Sequence, residues 1–183
     1  MKLITLNGAM NILTKLKLKL GIEVVDLASS LGRVLAEDII SDIDIPPFDK
    51  STRDGYAVKA EDTFTASDFN PVKLKLKGHV KIGEMPSFSL SKNECAYVPT
   101  GAPIPQGSDA VVMIEDASQE GDYVKVYKSI APSRNIIHRG SDIPRGSVLL
   151  RRGIMIGVKE ISLLAAIGRN RISVFSKPKV AVI

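Results

Sequence analysis

Glu94-Cys95-Ala96-Tyr97-Val98 is a short apolar run, Pro99-Thr100-Gly101-Ala102-Pro103-Ile104-Pro105-Gln106-Gly107-Ser108-Asp109 follows it, and Ala110-Val111-Val112-Met113-Ile114 is apolar again. Both apolar runs are too short for a stable helix and are bounded by turn residues, so they read as strands. The proline- and glycine-rich stretch between them reads as an irregular loop. The same spacing extends in both directions. Tyr56–Lys59, Val72–Lys77, Glu94–Val98, Ala110–Glu115 and Tyr123–Val126 are the candidate strands, separated by Gly, Pro, Asn and Ser signals. Short strands at this interval predict a small β-sandwich or barrel.

Outside that region the pattern changes. Pro46-Pro47 interrupts any regular element, because the ring removes an N–H and biases the preceding residue to extended forms. Upstream, Ala9, Met10, Leu13 and Leu16 follow helical spacing, with Thr5 as N-cap and Gly21 as stop, which predicts a helix over 5–20. A second short helix is expected from Ala28 to Gly32. Downstream, Lys159–Ile167 carries an apolar stripe of Ile161, Leu164, Ala165 and Ile167, with Gly168 suited to the C′ position. Ile172–Phe175 and Lys179–Ile183 are strand-like. The fold class is therefore α+β, mostly β.

Hydrophobic residues make up 44% and charged residues 25% of the 183, enough to bury a core. Aromatics are only 5%, with no Trp, which argues against the stacking platforms of single-stranded nucleic-acid binders. No apolar run approaches the ~18 residues of a membrane span, and no signal peptide is visible at the N-terminus. The single cysteine, Cys95, cannot form an internal disulfide and suits a packing role. A cytoplasmic location fits these features, and neither nucleic acid nor membrane is expected as a partner. Charge is uneven. Residues 128–183 hold 11 Lys/Arg against 2 Asp/Glu, within a net charge of +5 for the chain. Such a segment calls for an anionic ligand, an acidic surface facing it, or solvation alone.

Three polar stretches could carry chemistry. In Pro46–Val58, Asp54-Gly55 before an extended run signals a turn, and Asp54 is either a turn residue or a carboxylate able to bind Mg²⁺ or a polar ring edge. In Pro99–Ala110, Thr100 and Gly101 could cradle an anion, or the stretch is a plain connection. In Arg134–Ile143, Arg139 can grip phosphate bidentately and Asp142 can hold a metal or orient Arg139, the alternative being a loop salt bridge. His138 has no ligand-spaced companion, so zinc is not expected.

Taken in order, these blocks resemble the molybdopterin molybdenumtransferase family, which includes the gephyrin E domain. The family pattern runs Gly-Arg-Val-Leu-Ala-Glu-Asp, Pro-Pro-Phe-Asp-x-Ser-x-x-Asp-Gly-Tyr-Ala-Val, Thr-Gly-Ala-Pro-x-Pro-x-Gly-x-Asp-Ala-Val-Val and Arg-Gly-x-Asp. Here the first block is Gly32-Arg33-Val34-Leu35-Ala36-Glu37-Asp38, and Gly146-Ser147-Val148-Leu149-Leu150 and Ala165-Ala166-Ile167-Gly168 match further runs. The common Ser-Ala-Met is Ser51-Thr52-Arg53, and Ile136-Ile137-His138 replaces a run that is richer in Arg in some relatives.

The resemblance implies a split α/β dimerisation domain, residues 1–45 plus 147–177, with a β-rich substrate-cleft domain, 46–146, inserted. Residues 178–183 would be the first strand of a further α/β domain that binds molybdate. It implies molybdate insertion into adenylylated molybdopterin with release of AMP, supported by Mg²⁺, in a homodimer supplied by an upstream adenylyltransferase. Asp54, Thr100, Arg139 and Asp142 would bind substrate, and Asp54 and Asp142 would also hold the metal. The 183 residues alone would be inactive. The competing expectation is a non-catalytic dimerising scaffold or partner-binding module of the same fold.

Overall fold

A computed structural model describes residues 4–15 and 19–182. In chain order the elements are α1 (Leu6–Lys15), β1 (Ile22–Asp26), β2 (Ile39–Ile40), β3 (Lys50–Ser51), β4 (Gly55–Val58), β5 (Val72–His79) and β6 (Glu94–Val98). After these come β7 (Ala110–Met113), β8 (Ala117–Glu120), β9 (Tyr123–Val126), β10 (Ile136–Ile137), β11 (Val148–Leu150), α2 (Val158–Ala166) and β12 (Arg171–Phe175). The chain is mostly β and divides into two compact units, Ser41–Ser147 and Met1–Ile40 with Val148–Ile183.

The Ser41–Ser147 unit is built on one six-stranded sheet in the order β7-β4-β6-β5-β9-β8. β5 and β6 run parallel, and the other neighbours are antiparallel. Strand alternation sends Tyr56, Val58, Leu74, Cys95, Val112 and Val124 to a core on one face. Ala57, Ala96, Val98 and Val111 go to a second core on the other, closed by Val80 and Leu90. A strand buried on both faces has no polar side to show, which is why β6 and β7 read as continuous apolar runs. The expected sandwich or barrel is thus one sheet with β7 and β8 at its ends. β8, Ala117-Ser118-Gln119-Glu120, is polar because it pairs only with β9 and lies at the sheet edge.

Gly55 opens β4 between Val98 and Met113. Its φ is not positive, so turn freedom is not what demands glycine here. A Cβ would sit 2.0 Å from the Val112 carbonyl oxygen, so only hydrogen fits. Cys95 is fully buried, and burial pushes its thiol up to about 12.

In the other unit β1 pairs antiparallel with β12, Ile22 opposite Phe175, and β2 with β11. Leu164 and Ile167 of the α2 region are buried with Leu35, Ile156, Ile172 and Val174. The Gly157 N–H donates to Glu160 Oε2 at 2.9 Å at the start of α2. Gly168, at φ +77, ends the helix, and the Arg169 N–H donates to the Leu164 carbonyl at 2.9 Å.

At α1, Thr5 Oγ1 accepts the Gly8 N–H at 3.2 Å, the expected N-cap. The described helix is Leu6–Lys15 and residues 19 and 20 are not helical, while residues 16–18 of that expectation lie outside the described residues. No residue of α1 is buried. Where Ala28 to Gly32 suggested a helix, the chain makes only a 3-10 turn, Leu27–Ser29, and the Ser30 hydroxyl donates to the Leu27 carbonyl at 2.6 Å. Residues 179–182 form no strand, and Val180 and Val182 are exposed. A strand exists only through its partner, and none pairs with them among the described residues. Residue 183 lies outside the described residues. No helix among these is long and apolar enough to cross a membrane.

Candidate functional site

The three polar stretches meet in the Ser41–Ser147 unit, with residues 49–52 in the middle. On one side the Gly101 N–H donates to the Ser51 carbonyl at 2.8 Å, the Ser51 N–H to Ala102 at 3.0 Å, and the Ile104 N–H to Asp49 at 2.9 Å. On the other side β3 pairs antiparallel with β10, and the Thr52 N–H donates to the Asn135 carbonyl at 3.0 Å. Buried Ser51 ties the next turn, its Oγ donating to the Arg53 carbonyl at 2.5 Å and accepting the Arg53 N–H at 3.2 Å. Backbone pairing therefore aligns the loops, and the exposed side chains are left for other work.

Asp54 and Thr100 are brought together. Asp54 Oδ1 accepts the Thr100 N–H at 2.7 Å, and both side chains are exposed. This leaves Oδ2 of Asp54 and the Thr100 hydroxyl available. Gly101 follows at φ +83 with nothing within 4 Å of a would-be Cβ, so the backbone is open to a ligand there.

Arg139 and Asp142 sit at the far end of the 134–143 stretch, where the Asp142 N–H donates to the Ile45 carbonyl at 3.0 Å. Arg139 Nε donates to Asp44 Oδ2 at 2.6 Å, so its partner is Asp44, not Asp142. The Arg139 N–H donates to Asp49 Oδ1 at 2.7 Å. With only Nε engaged and the side chain 62% exposed, the terminal guanidinium nitrogens can still reach an anion. Asp142 is exposed, and its carboxylate engages no other described residue. No contact joins Asp142 to Asp54 or Thr100. Among the described residues no group of three or more His, Cys, Asp or Glu could hold a metal ion.

The model of the MoeA N-terminal region (domain I and II) matches residues 4–168. The chain belongs to this family. It is 38% identical over 159 residues to a molybdopterin molybdenumtransferase of Staphylococcus epidermidis, covering 87% of this chain and 38% of that one. It superimposes at TM-score 0.89 and 45% identity on the crystal structure of a molybdopterin biosynthesis MoeA protein from Pyrococcus horikoshii, covering 97% of this chain and 45% of that one. A second P. horikoshii MoeA structure gives TM-score 0.78 at 40% identity, with coverages of 86% and 42%. The chain thus spans about two fifths of the length of the curated relatives it matches.

Within this MoeA N-terminal unit the sequence reading overlooked Asp44 and Asp49. Asp44 Oδ1 accepts the Arg145 N–H at 2.7 Å while Oδ2 holds Arg139, so one carboxylate closes the 139–145 loop at both ends. The Arg145 N–H and then the Arg139 side chain hold the Asp44 carboxyl below its usual value. Asp49 also faces His138, Oδ2 to Nδ1 at 3.2 Å, which gives that histidine a role without metal. The alternating Ser41-Asp42-Ile43-Asp44-Ile45 before Pro46 was the available signal. The uneven charge is answered internally only in part. Lys128 meets Asp116, Arg139 meets Asp44, Arg151 meets Asp38 and Arg171 meets Asp26.

Proposed function

We propose that this chain works in molybdenum cofactor biosynthesis as part of an enzyme that inserts molybdate into adenylylated molybdopterin and releases AMP. The observation that carries the reading is an exposed, uncommitted carboxylate on Asp142 three residues along from the partly free guanidinium of Arg139, on a loop that Asp44 holds at both ends. Such a loop offers a phosphate-bearing ligand a donor fork and a metal-ready acceptor at little reorganisation cost. Asp54 and Thr100 would bind the ligand from the neighbouring loop.

Asp142 and Oδ2 of Asp54 fit magnesium as single carboxylate ligands, completed by phosphate oxygens and water; they do not make an all-protein cage. Bound there, the ion would neutralise charge on the phosphoanhydride. The protein side chains would orient the ligand and keep its phosphates paired.

The exposed apolar face of α1 favours a homodimer for the assembly. A ten-residue helix with no buried residue is marginal in water, and a second copy would cover it.

The test uses adenylylated molybdopterin, Mg²⁺ and molybdate with AMP release as readout. Transfer needs both reactants held together, which is worth roughly 7–11 kcal/mol at best. The 183 residues alone are expected to release no AMP above background. In a full-length relative, substituting the aspartate that aligns with Asp142 by Ala is expected to abolish most release while leaving the melting temperature within about two degrees, since substitution of an exposed, unpaired side chain changes stability by only about 0.5 kcal/mol. Parallel loss of stability and activity would reduce Asp142 to a structural residue, and turnover by the 183 residues alone would displace the catalytic centre.

A further inference from the structure

We propose that the cleft lined by Arg53, Lys128 and Arg134 is a second anion site, which takes a phosphate monoester carried on an apolar body. Asp54, Thr100, Arg139 and Asp142 do not line it. The cleft has a volume of about 550 Å³, within the range of small-molecule sites.

Its position is set by backbone. The Thr52 N–H donates to the Asn135 carbonyl at 3.0 Å, and the Val111 N–H donates to the Arg134 carbonyl at 3.1 Å. Asn135 Nδ2 donates to the Val111 carbonyl at 2.8 Å. Arg53 and Arg134 are each flanked by a residue in this network, so their side chains share the cleft on a fixed frame.

Charge makes the case. The lining holds three cations and one carboxylate, Asp116, whose Oδ1 is taken by Lys128 Nζ at 2.5 Å. Neither the Arg53 nor the Arg134 guanidinium engages any other described group. Six of the seven remaining arginines do. Arg33 meets Glu23, Arg139 meets Asp44, Arg151 meets Asp38 and Arg171 meets Asp26. Arg152 lies over the Phe175 ring and Arg169 also has a partner. Arg145 reaches Asp44 through its backbone N–H and does not line the cleft. Two of the three arginines whose guanidinium touches no other described group therefore line the same cleft.

Two like charges in one apolar-floored cleft repel each other and focus a positive potential, which an anion relieves. Two guanidinium forks match the three oxygens and double charge of a phosphate monoester. A lone carboxylate has two oxygens and one charge, and would leave one arginine unneutralised. Val112, Met113, Ile130 and Ala131 supply the apolar floor for the body of the ligand.

The 183-residue chain in phosphate-free, low-salt buffer would be titrated calorimetrically with phenyl phosphate, inorganic phosphate and benzoate. Phenyl phosphate is expected to bind one-to-one and more tightly than either of the others. Arg53→Gln or Arg134→Gln, both at exposed positions, should each weaken it roughly tenfold, and the double variant should abolish it. Arg53→Lys with Arg134→Lys should fall between, because charge survives and the forks do not. Asp142→Ala should bind as the parent does, which separates this site from the proposed catalytic loop. Absence of binding to the parent at millimolar ligand, or equal binding by the double variant, would overturn the proposal. Tighter binding of benzoate would overturn the phosphate assignment, and equal binding of inorganic phosphate the apolar body.

Discussion

Leu74 on β5 is fully buried, whereas Leu6 and Leu13 on α1 are 79% and 59% exposed. The six-stranded sheet covers its apolar side chains on both faces from within its own 107-residue unit, Ser41–Ser147. Helix α1 covers none of its own, and Ile22 and Val24 of β1 are left open as well. The candidate loops grow from the unit that holds the sheet, whereas α1 and β1 in the other unit leave their own apolar side chains uncovered. A substitution in the sheet should therefore act on folding, and one in α1 on assembly.

The largest expected effect is inside the sheet. Gly55→Ala would drive a methyl against the Val112 carbonyl between β4 and β7. It should cost at least about 3 kcal/mol, read from the urea midpoint. Leu74→Ala should cost about 2–5 kcal/mol by opening a cavity, while Leu6→Ala in a monomeric sample should stay within about 0.5 kcal/mol. Equal costs for Leu74 and Leu6 would erase the contrast.

Assembly is the next test. Light scattering of the parent at micromolar concentration should give about twice the 19.8 kDa chain mass. Met10→Asp with Leu13→Asp should halve it with the far-ultraviolet dichroism of the sheet intact. A parent that stays monomeric at high concentration would leave the α1 face to some other partner.

The smallest effect belongs to Asp44. Its folded pKa is lowered, chiefly by the Arg145 N–H and then by Arg139. A depressed carboxylate contributes stability above its unfolded pKa of about 3.9, and loses that contribution as pH falls through the lower folded value. Asp44→Asn should therefore be less stable than the parent at pH 5–7, with the gap closing below about pH 4. Glu94 is also lowered, by Lys77, so the quantity to follow is the difference between variant and parent. A gap independent of pH would mean that the loop is held by shape alone.

These contrasts also mark what the sequence could reveal. β6 and β9 are legible to the residue, because short apolar-rich runs there are bounded by turn residues. β8 was not, since an edge strand needs few apolar residues. β1 was missed because Ile22-Glu23-Val24-Val25-Asp26 has no clean alternation, and its partner β12 lies at the other end of the chain. The polar loops were visible one by one, but the hydrogen bond from Thr100 to Asp54 spans 46 residues and no local rule foretells it. Arg139 shows the same bias most clearly. Its nearest acidic neighbour in sequence, Asp142, was the natural candidate partner, and the fold instead supplied Asp44, 95 residues away.

The burial of Cys95 has a practical side. With its thiol near 12, only on the order of one molecule in 10⁴–10⁵ carries a thiolate at neutral pH, and that sulfur is enclosed in the sheet. Since the chain has no other cysteine, it is silent toward alkylating dyes without any engineering. A Ser141→Cys or Ser129→Cys substitution, both at exposed positions, would place the sole addressable thiol beside Asp142 or on the lining of the basic cleft. A fluorophore there would report ligand arrival at the proposed substrate loop and at the proposed anion cleft separately, on a background that needs no cysteine-free parent.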